Sequence, residues 1–360
     1  MSGAVVEHGG GAVVSFKLPP QLLAIEPPEQ RGLTRDRVRL VVANPTGSVT
    51  TMFRHLGRFL CADDVLVVNT SATRPAALDV RRADGSWAPL HLSTVLDDGT
   101  WVVEVRRARG VDGGFADGPA TDVRPGEPLH LPEGRTLYVD RPYPDPDTDS
   151  PRLWRAVTES GVHVDAYLRR YGRPIRYGYV PKRWPISAYR TVFGSDSGSA
   201  EMPSAGRPFT ARLVTDLVAR GVVVAPLVLH TGVSSPESHE PPYPERYGVP
   251  AATARSVNAA RADGGRIIAV GTTVTRALET VADLNGWVHA GRGWTDLVLG
   301  AARPARVVEG LITGWHPPEA SHLMLLEAVA GTDMVQRAYD TALRDSLLWH
   351  EFGDSCLLLP

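Results

Sequence analysis

The 360-residue chain predicts a layered α/β main domain with a small antiparallel β domain inserted into it. Three observations predict that class. From about residue 150 onward, helical and strand periodicities alternate, the pattern of a sheet covered by helices. Between 76 and 149 no helical period occurs, and short β-rich runs are separated by the turns Asp84-Gly85, Asp98-Gly99 and Glu133-Gly134. A buried-strand run, Val65 to Val68, stands ahead of that stretch, so the β module interrupts the main domain. The expected division is a tail over 1–14, the α/β domain over 15–75 and 150–360, and the inserted module over 76–149, closed by the Pro-rich linker Pro142 to Asp149.

In chain order, Met1 to Val14 is Gly-rich and reads as a loose tail. Arg37 to Ala43 and Asp64 to Asn69 read as strands, with a short helix or turn over Thr51 to Leu60. The module's strands are Leu90 to Leu92, Trp101 to Val105, Leu129 to Leu131 and Leu137 to Val139. Beyond it come a helix over Thr210 to Arg220 stopped by Gly221, a strand over Val222 to Leu229, and a helix over Ala251 to Ala262 stopped by Asp263-Gly264-Gly265. Leu297 to Leu299 and Val307 to Ile312 read as strands, and Glu319 to Val329 and Met334 to Leu348 as helices.

The segment Arg266 to Glu279 carries the most information. Ile267 to Val270 has the length and β-branching of a buried parallel strand. Gly271 permits a sharp turn, Thr272 or Thr273 is placed to cap a helix, and Val274, Ala277 and Leu278 form its buried face. Such a unit leaves backbone N–H groups at the carboxyl edge of the sheet, where α/β proteins bind polar or anionic ligands. An ordinary strand–turn–helix with a surface Arg276/Glu279 pair fits the same residues.

Composition narrows the function. Apolar content of 43% and a formal charge of −2 describe a soluble globular chain, though a local basic patch would still serve RNA. Lys17 and Lys182 are the only lysines, which disfavours Schiff-base chemistry, and there is no Gly-Lys-Thr phosphate loop. Cys61 and Cys356 give neither a disulfide framework nor a metal cluster. No leader and no apolar run of about 20 residues is present, so a cytoplasmic location without membrane contact is expected.

Several motifs then fall into one order: Leu229-His230-Thr231-Gly232, Glu245-Arg246-Tyr247-Gly248-Val249-Pro250, Ala269-Val270-Gly271-Thr272-Thr273 with Arg276 and Glu279, Thr295-Asp296-Leu297, Gly314-Trp315-His316-Pro317 and Phe352-Gly353-Asp354. Together they resemble the S-adenosylmethionine:tRNA ribosyltransferase-isomerases of queuosine biosynthesis, over nearly the whole chain from Lys17. The resemblance implies the two-part fold read above. It also implies S-adenosylmethionine as co-substrate, no metal, and transfer and isomerisation of its ribosyl group onto 7-aminomethyl-7-deazaguanine in tRNA, with adenine and methionine leaving. Departures gather in loops expected to line the site: Asn69-Thr70-Ser71-Ala72-Thr73-Arg74 where the family carries a carboxylate and two arginines, and Ser204-Ala205-Gly206-Arg207-Pro208 where it carries a histidine. A relative using the same donor on a small molecule, or only cleaving it, and a non-catalytic RNA-binding relative therefore stand beside the full reaction.

A sulfonium acidifies the protons on the neighbouring carbon, so the chemistry needs a carboxylate or imidazole base. Glu245, in a Pro-rich stretch beside Tyr247, is the first candidate, followed by His230 and His316. Thr272, Thr273 and Arg276 are candidates for the methionine carboxylate, and Asp296 for ribose hydroxyls. The family motifs add Gly271, Gly232, Ser204 and Asn69 to the pocket. Tyr247 or Trp315 is a candidate cation–π partner for the sulfonium. For RNA, the stretch with Arg169, Arg170, Arg173, Arg176, Lys182 and Arg183 interleaves cations with Tyr171, Tyr177, Tyr179, Trp184 and Tyr189.

Overall fold

The structure is a computed structural model that describes residues 14–109, 115–158, 162–233, 242–318 and 320–360. Nine strands form the larger sheet, in the order Gly291–Thr295, Glu245–Val249, Val223–Leu229, Val65–Asn69, Ile267–Val270, Gly310–Thr313, Ser355–Leu358, Arg39–Asn44, Gly47–Met52. The four from Val223–Leu229 to Gly310–Thr313 run parallel, and antiparallel partners flank them on both sides. The parallel strands are continuous apolar runs because both sheet faces are covered. Alternate residues go to opposite faces: Val65, Val67, Ile267 and Ala269 enter one core, whereas Leu66, Val68, Ile268 and Val270 enter another. The first core packs against the helices Ala251–Ala262, Thr272–Val281, His322–Ala330 and Thr332–Arg344. The second packs against Phe53, Leu56 and the helix Ala211–Ala219, giving three layers.

A second sheet of seven strands runs in the order Leu153–Thr158, Thr136–Tyr143, Pro128–His130, Ala77–Arg81, Trp87–Val95, Trp101–Arg109, Phe115–Pro119. Leu153–Thr158 also pairs with Trp101–Arg109, so the sheet closes on itself, with Phe115–Pro119 lying beside the same strand outside the closure. The Pro-rich stretch 142–149 is therefore not the end of the module. It is a turn inside the barrel, and the closing strand lies beyond it. Against this barrel the buried Glu104 meets Arg152 at 2.6 Å, Arg106 at 2.9 Å and His91 at 3.4 Å. Burial alone would raise its pKa, but the His91 hydrogen bond and the two guanidinium groups hold it at about 2. We expect Glu104→Gln to cost about 3–5 kcal/mol, read from urea melts, because the guanidinium groups of Arg152 and Arg106 lose their counter-charge. The stability Glu104 adds is present above its ordinary value of 4.5 and lost as pH falls towards about 2.

The helix Ala251–Ala262 and the unit Ile267–Val270, Thr272–Val281 follow the sequence reading. Other elements differ. Leu297–Leu299 is not a strand, because side chains claim its backbone: Leu297 N donates to Thr295 Oγ1 (3.2 Å), and its carbonyl accepts from Arg276 (3.0 Å). Thr51 and Met52 end a strand, and the helical turn after them is Phe53–Arg58. The expected helix start at Glu319 lies outside the described residues, and the helix is described from His322. The tail 1–13 also lies outside them, whereas Val14, assigned to the tail, is buried and donates from its N–H to Glu327 (2.8 Å).

Candidate active site

The carboxyl ends of the four parallel strands, at Leu229, Asn69, Val270 and Thr313, open into turns that converge on one rim of the sheet. Gly271 turns the chain there with φ 98° and ψ 155°, a conformation suited to glycine. It is the N-cap of Thr272–Val281, and no side chain caps that helix. The expected threonine cap is absent because Thr273 Oγ1 instead accepts from Asn69 Nδ2 (3.3 Å). Among the described residues, no side chain therefore accepts from the first-turn amides of that helix. Asn69 is buried and fully engaged: its amide donates to Leu229 O (2.8 Å), and its oxygen accepts from Leu229 N (3.1 Å) and Ser71 N (3.0 Å). It clamps the strand ends together and has little capacity left for substrate.

Glu245 is the first residue of a strand rather than part of a loop, and it is largely buried. One carboxylate oxygen forms an ion pair with Arg276, and the other accepts from Gly232 N (3.0 Å). The buried Arg276 also donates to Leu297 O (3.0 Å) and Thr295 O (3.1 Å), so its guanidinium is held on three sides. Burial pushes the Glu245 pKa up, and the lowering by Arg276 and the Gly232 amide does not cancel it. The surface pair Arg276/Glu279 does not form. Glu279 is fully buried and accepts N–H bonds from Arg306 (3.0 Å), Val307 (2.8 Å) and Val308 (3.1 Å). Gly232 is needed for the barrel's approach, since a Cβ there would lie 2.7 Å from Ser93 Oγ.

Two imidazoles stack beside this couple: His316 and His322, with centroids 4.4 Å apart and planes 4° apart. Burial pushes both pKa values down, that of His322 to about 4 with Arg276 assisting, so both are neutral near pH 7. His316 Nε2 meets Thr313 Oγ1 at 3.0 Å, and its backbone joins Tyr339 and Trp349. His322 escaped the sequence reading because it lies in the first turn of an apolar helix. His230 points Nδ1 at Ser71 Oγ (2.7 Å), which meets Ser199 Oγ (2.6 Å), and burial lowers its pKa. Gly198 lies against the ring, where a Cβ would come within 2.1 Å of Nδ1.

The chain matches the family model "Queuosine biosynthesis protein" over residues 12–358. The chain belongs to this family. S-adenosylmethionine:tRNA ribosyltransferase-isomerases of Moorella thermoacetica and Geobacter sulfurreducens are 33% and 32% identical, over 96% and 95% of this chain and 98% of each relative. The crystal structure of S-adenosylmethionine tRNA ribosyltransferase from Thermotoga maritima superposes with a TM-score of 0.51 at 29% identity, covering 96% of this chain and 99% of that one. The layered α/β fold with its β barrel is thus the fold of the queuosine biosynthesis family.

The other expected residues of this family member are distributed unevenly. Ser204, in the turn Ser204–Gly206, borders the rim: a Cβ on Gly314 would lie 3.9 Å from its Oγ. Thr272 is buried in the first turn, and the half-buried Tyr247 pairs with Gly293 across the strands. Trp315 cannot face a sulfonium, because it is 2% exposed and packs edge-on against Tyr339. Asp296 is exposed, and Asp354 is a structural anchor for Arg39 (2.9 Å). In the basic stretch, Arg173 pairs with Asp79, Arg170 with Glu133 (2.8 Å), and Arg176 donates to Pro181 O (3.2 Å). Its tyrosines contact other rings: Tyr171 meets Tyr167, Tyr177 meets Tyr179, and the buried Tyr189 meets Phe352. Arg169, Lys182 and Arg183 remain exposed. Among the described residues, no group of three or more His, Cys, Asp or Glu side chains is arranged to hold a metal ion, and no helix is long and apolar enough to cross a membrane.

Proposed function

We propose that this chain transfers and isomerises the ribosyl group of S-adenosylmethionine onto 7-aminomethyl-7-deazaguanine in tRNA, releasing adenine and methionine. The single observation that carries the reading is the buried Glu245 carboxylate, held by Arg276 and the Gly232 amide at the sheet rim of a chain that matches the family model over residues 12–358. In this reading the methionine carboxylate sits on the first-turn amides of Thr272 and Thr273, at the positive end of the helix. Arg276 positions Glu245 and does not bind the substrate carboxylate itself. Glu245 takes a proton from the carbon next to the sulfonium. The electron pair left behind opens the ribose and expels adenine. Its raised pKa makes it a stronger base than an exposed carboxylate. His316 and His322, neutral near pH 7, serve as hydrogen-bond partners for adenine or ribose rather than as cations. Arg169, Lys182 and Arg183 contact tRNA phosphates.

The test mixes the protein with S-adenosylmethionine, with and without precursor-bearing tRNA, and follows adenine and methionine. Release that requires the tRNA supports the reading. Release without it points to donor cleavage or a small-molecule acceptor, and tRNA binding without release points to a non-catalytic relative. Replacing Lys182 and Arg183 by alanine should weaken tRNA binding and lower its salt slope by about 0.7–0.9 per lost phosphate contact.

A further inference from the structure

Beside the candidate active site lies a second cleft, lined by Arg35, Ser204, Arg207, Gly314, His350 and Glu351. It shares Ser204 and Gly314 with the rim, and Trp349 Nε1, next to His350, donates to the His316 carbonyl (3.2 Å). Its cations are already engaged. Arg207 donates to Glu29 (2.8 Å) and to Ala188 O (3.0 Å), and Arg35 pairs with Glu29 (3.3 Å). Glu201 accepts the Tyr177 hydroxyl. Glu351 is different: its Oε1 is buried and receives no hydrogen bond among the described residues. A buried carboxylate oxygen without a donor is costly, and native proteins seldom keep one that nothing uses. The backbone supports the same view. His350 is held at φ 70°, outside the range L-residues prefer, with its ring stacked on Tyr179 at 4.4 Å.

We propose that this cleft receives the protonated primary amine of the acceptor base, and that Glu351 is the group that takes its proton. The inference rests on the ribosyl-transfer reading above and deepens it. An alkylammonium has no lone pair, so one N–H bond must break before nitrogen can attack. The proton passes to Glu351 Oε1 and the electron pair stays on nitrogen: one N–H bond breaks, one O–H bond forms, and the amine is left neutral and nucleophilic. Nothing is oxidised or reduced. Burial and the nearby Glu201 push the Glu351 pKa up to about 8 against the lowering effect of Arg207. The phenols facing it, Tyr177, Tyr179 and Tyr189, all have raised pKa values, and burial holds His350 at about 4. Among these groups the one that can take up a proton in this range is Glu351, in its ionised form, which grows as pH rises towards about 8.

The experiment uses the full chain, S-adenosylmethionine, and two tRNAs: one carrying 7-aminomethyl-7-deazaguanine and one carrying the 7-methyl analogue without the amine. The wild type should bind the amine-bearing tRNA about tenfold more tightly or better. Its kcat/KM for tRNA should rise with pH to a plateau above about 8. Glu351→Gln should lower that kcat/KM by about 10²–10⁴, abolish the rising limb and the amine preference, and leave KM for S-adenosylmethionine unchanged. Glu351→Asp should restore part of the rate. If the variants do not fold, the wild type's discrimination between the two tRNAs is the test, and equal affinities overturn the proposal. A wild type that turns over the precursor tRNA while Glu351→Gln keeps its rate and pH limb overturns this inference and leaves the ribosyl-transfer reading intact. A wild type inactive on that tRNA and indifferent to the amine overturns both.

Discussion

Glu245→Gln should reduce adenine release by about 10²–10⁴-fold while leaving the protein folded and able to bind S-adenosylmethionine. The amide cannot accept a proton at any working pH, so the step that opens the ribose loses its base. Arg276 loses its counter-charge, which costs stability, but the fold should survive for a local reason. The glutamine oxygen still accepts from Gly232 N, and Arg276 keeps its bonds to Leu297 and Thr295 carbonyls. Thermal melting and donor binding by calorimetry separate loss of chemistry from loss of structure. A Gln variant with the wild-type rate would remove Glu245 from the mechanism.

Arg276→Met is the second large effect, and it acts on both stability and pH dependence. Removing one partner of a buried ion pair leaves the other charge uncompensated, at a cost of about 3–5 kcal/mol. Burial already raises the Glu245 pKa, and the guanidinium is the largest influence opposing it. Without it the pKa climbs further, the carboxyl is protonated at higher pH, and the activity limb that depends on the ionised form moves to higher pH. The sign for stability follows from the same shift. A group whose pKa is raised on folding favours the folded state below its unfolded value, and that contribution is lost as pH rises through the folded value. In the Met variant the decline should extend to higher pH than in the wild type. Urea midpoints measured across pH check this, and a profile that does not move would show that Arg276 does not set the Glu245 charge.

The scaffold was legible where local pattern and tertiary demand agree. Ile267–Val270 is a continuous apolar run because both sheet faces are covered, and Ala251–Ala262 ends where two glycines follow. The barrel's closing strand was not legible, because the prolines between Tyr143 and Leu153 look like a linker and only long-range pairing with Trp101–Arg109 reveals their role as a turn. Within the site the candidates came from motif order, but their roles depended on partners distant in sequence. Spacing on a helix suggested that Arg276 meets Glu279, yet Arg276 reaches back to Glu245 and Glu279 turns to the backbone of Arg306 to Val308. Trp315 and Tyr189 are equally suited to packing and to ligand stacking in sequence terms, and burial decided for packing. Glu351 carried no signal, since a glutamate near the C-terminus is ordinarily solvated and only its cleft makes it unusual.

The most direct measurement follows hydrogen exchange at the ribose carbon bonded to sulfur. The protein is incubated with S-adenosylmethionine and precursor-bearing tRNA in deuterium oxide, and recovered donor and product are examined by mass spectrometry and NMR. With Glu245 as the base, deuterium enters that carbon in the wild type and fails to enter in Glu245→Gln. Equal incorporation in the two proteins would contradict the assignment of Glu245 as the group that takes the proton.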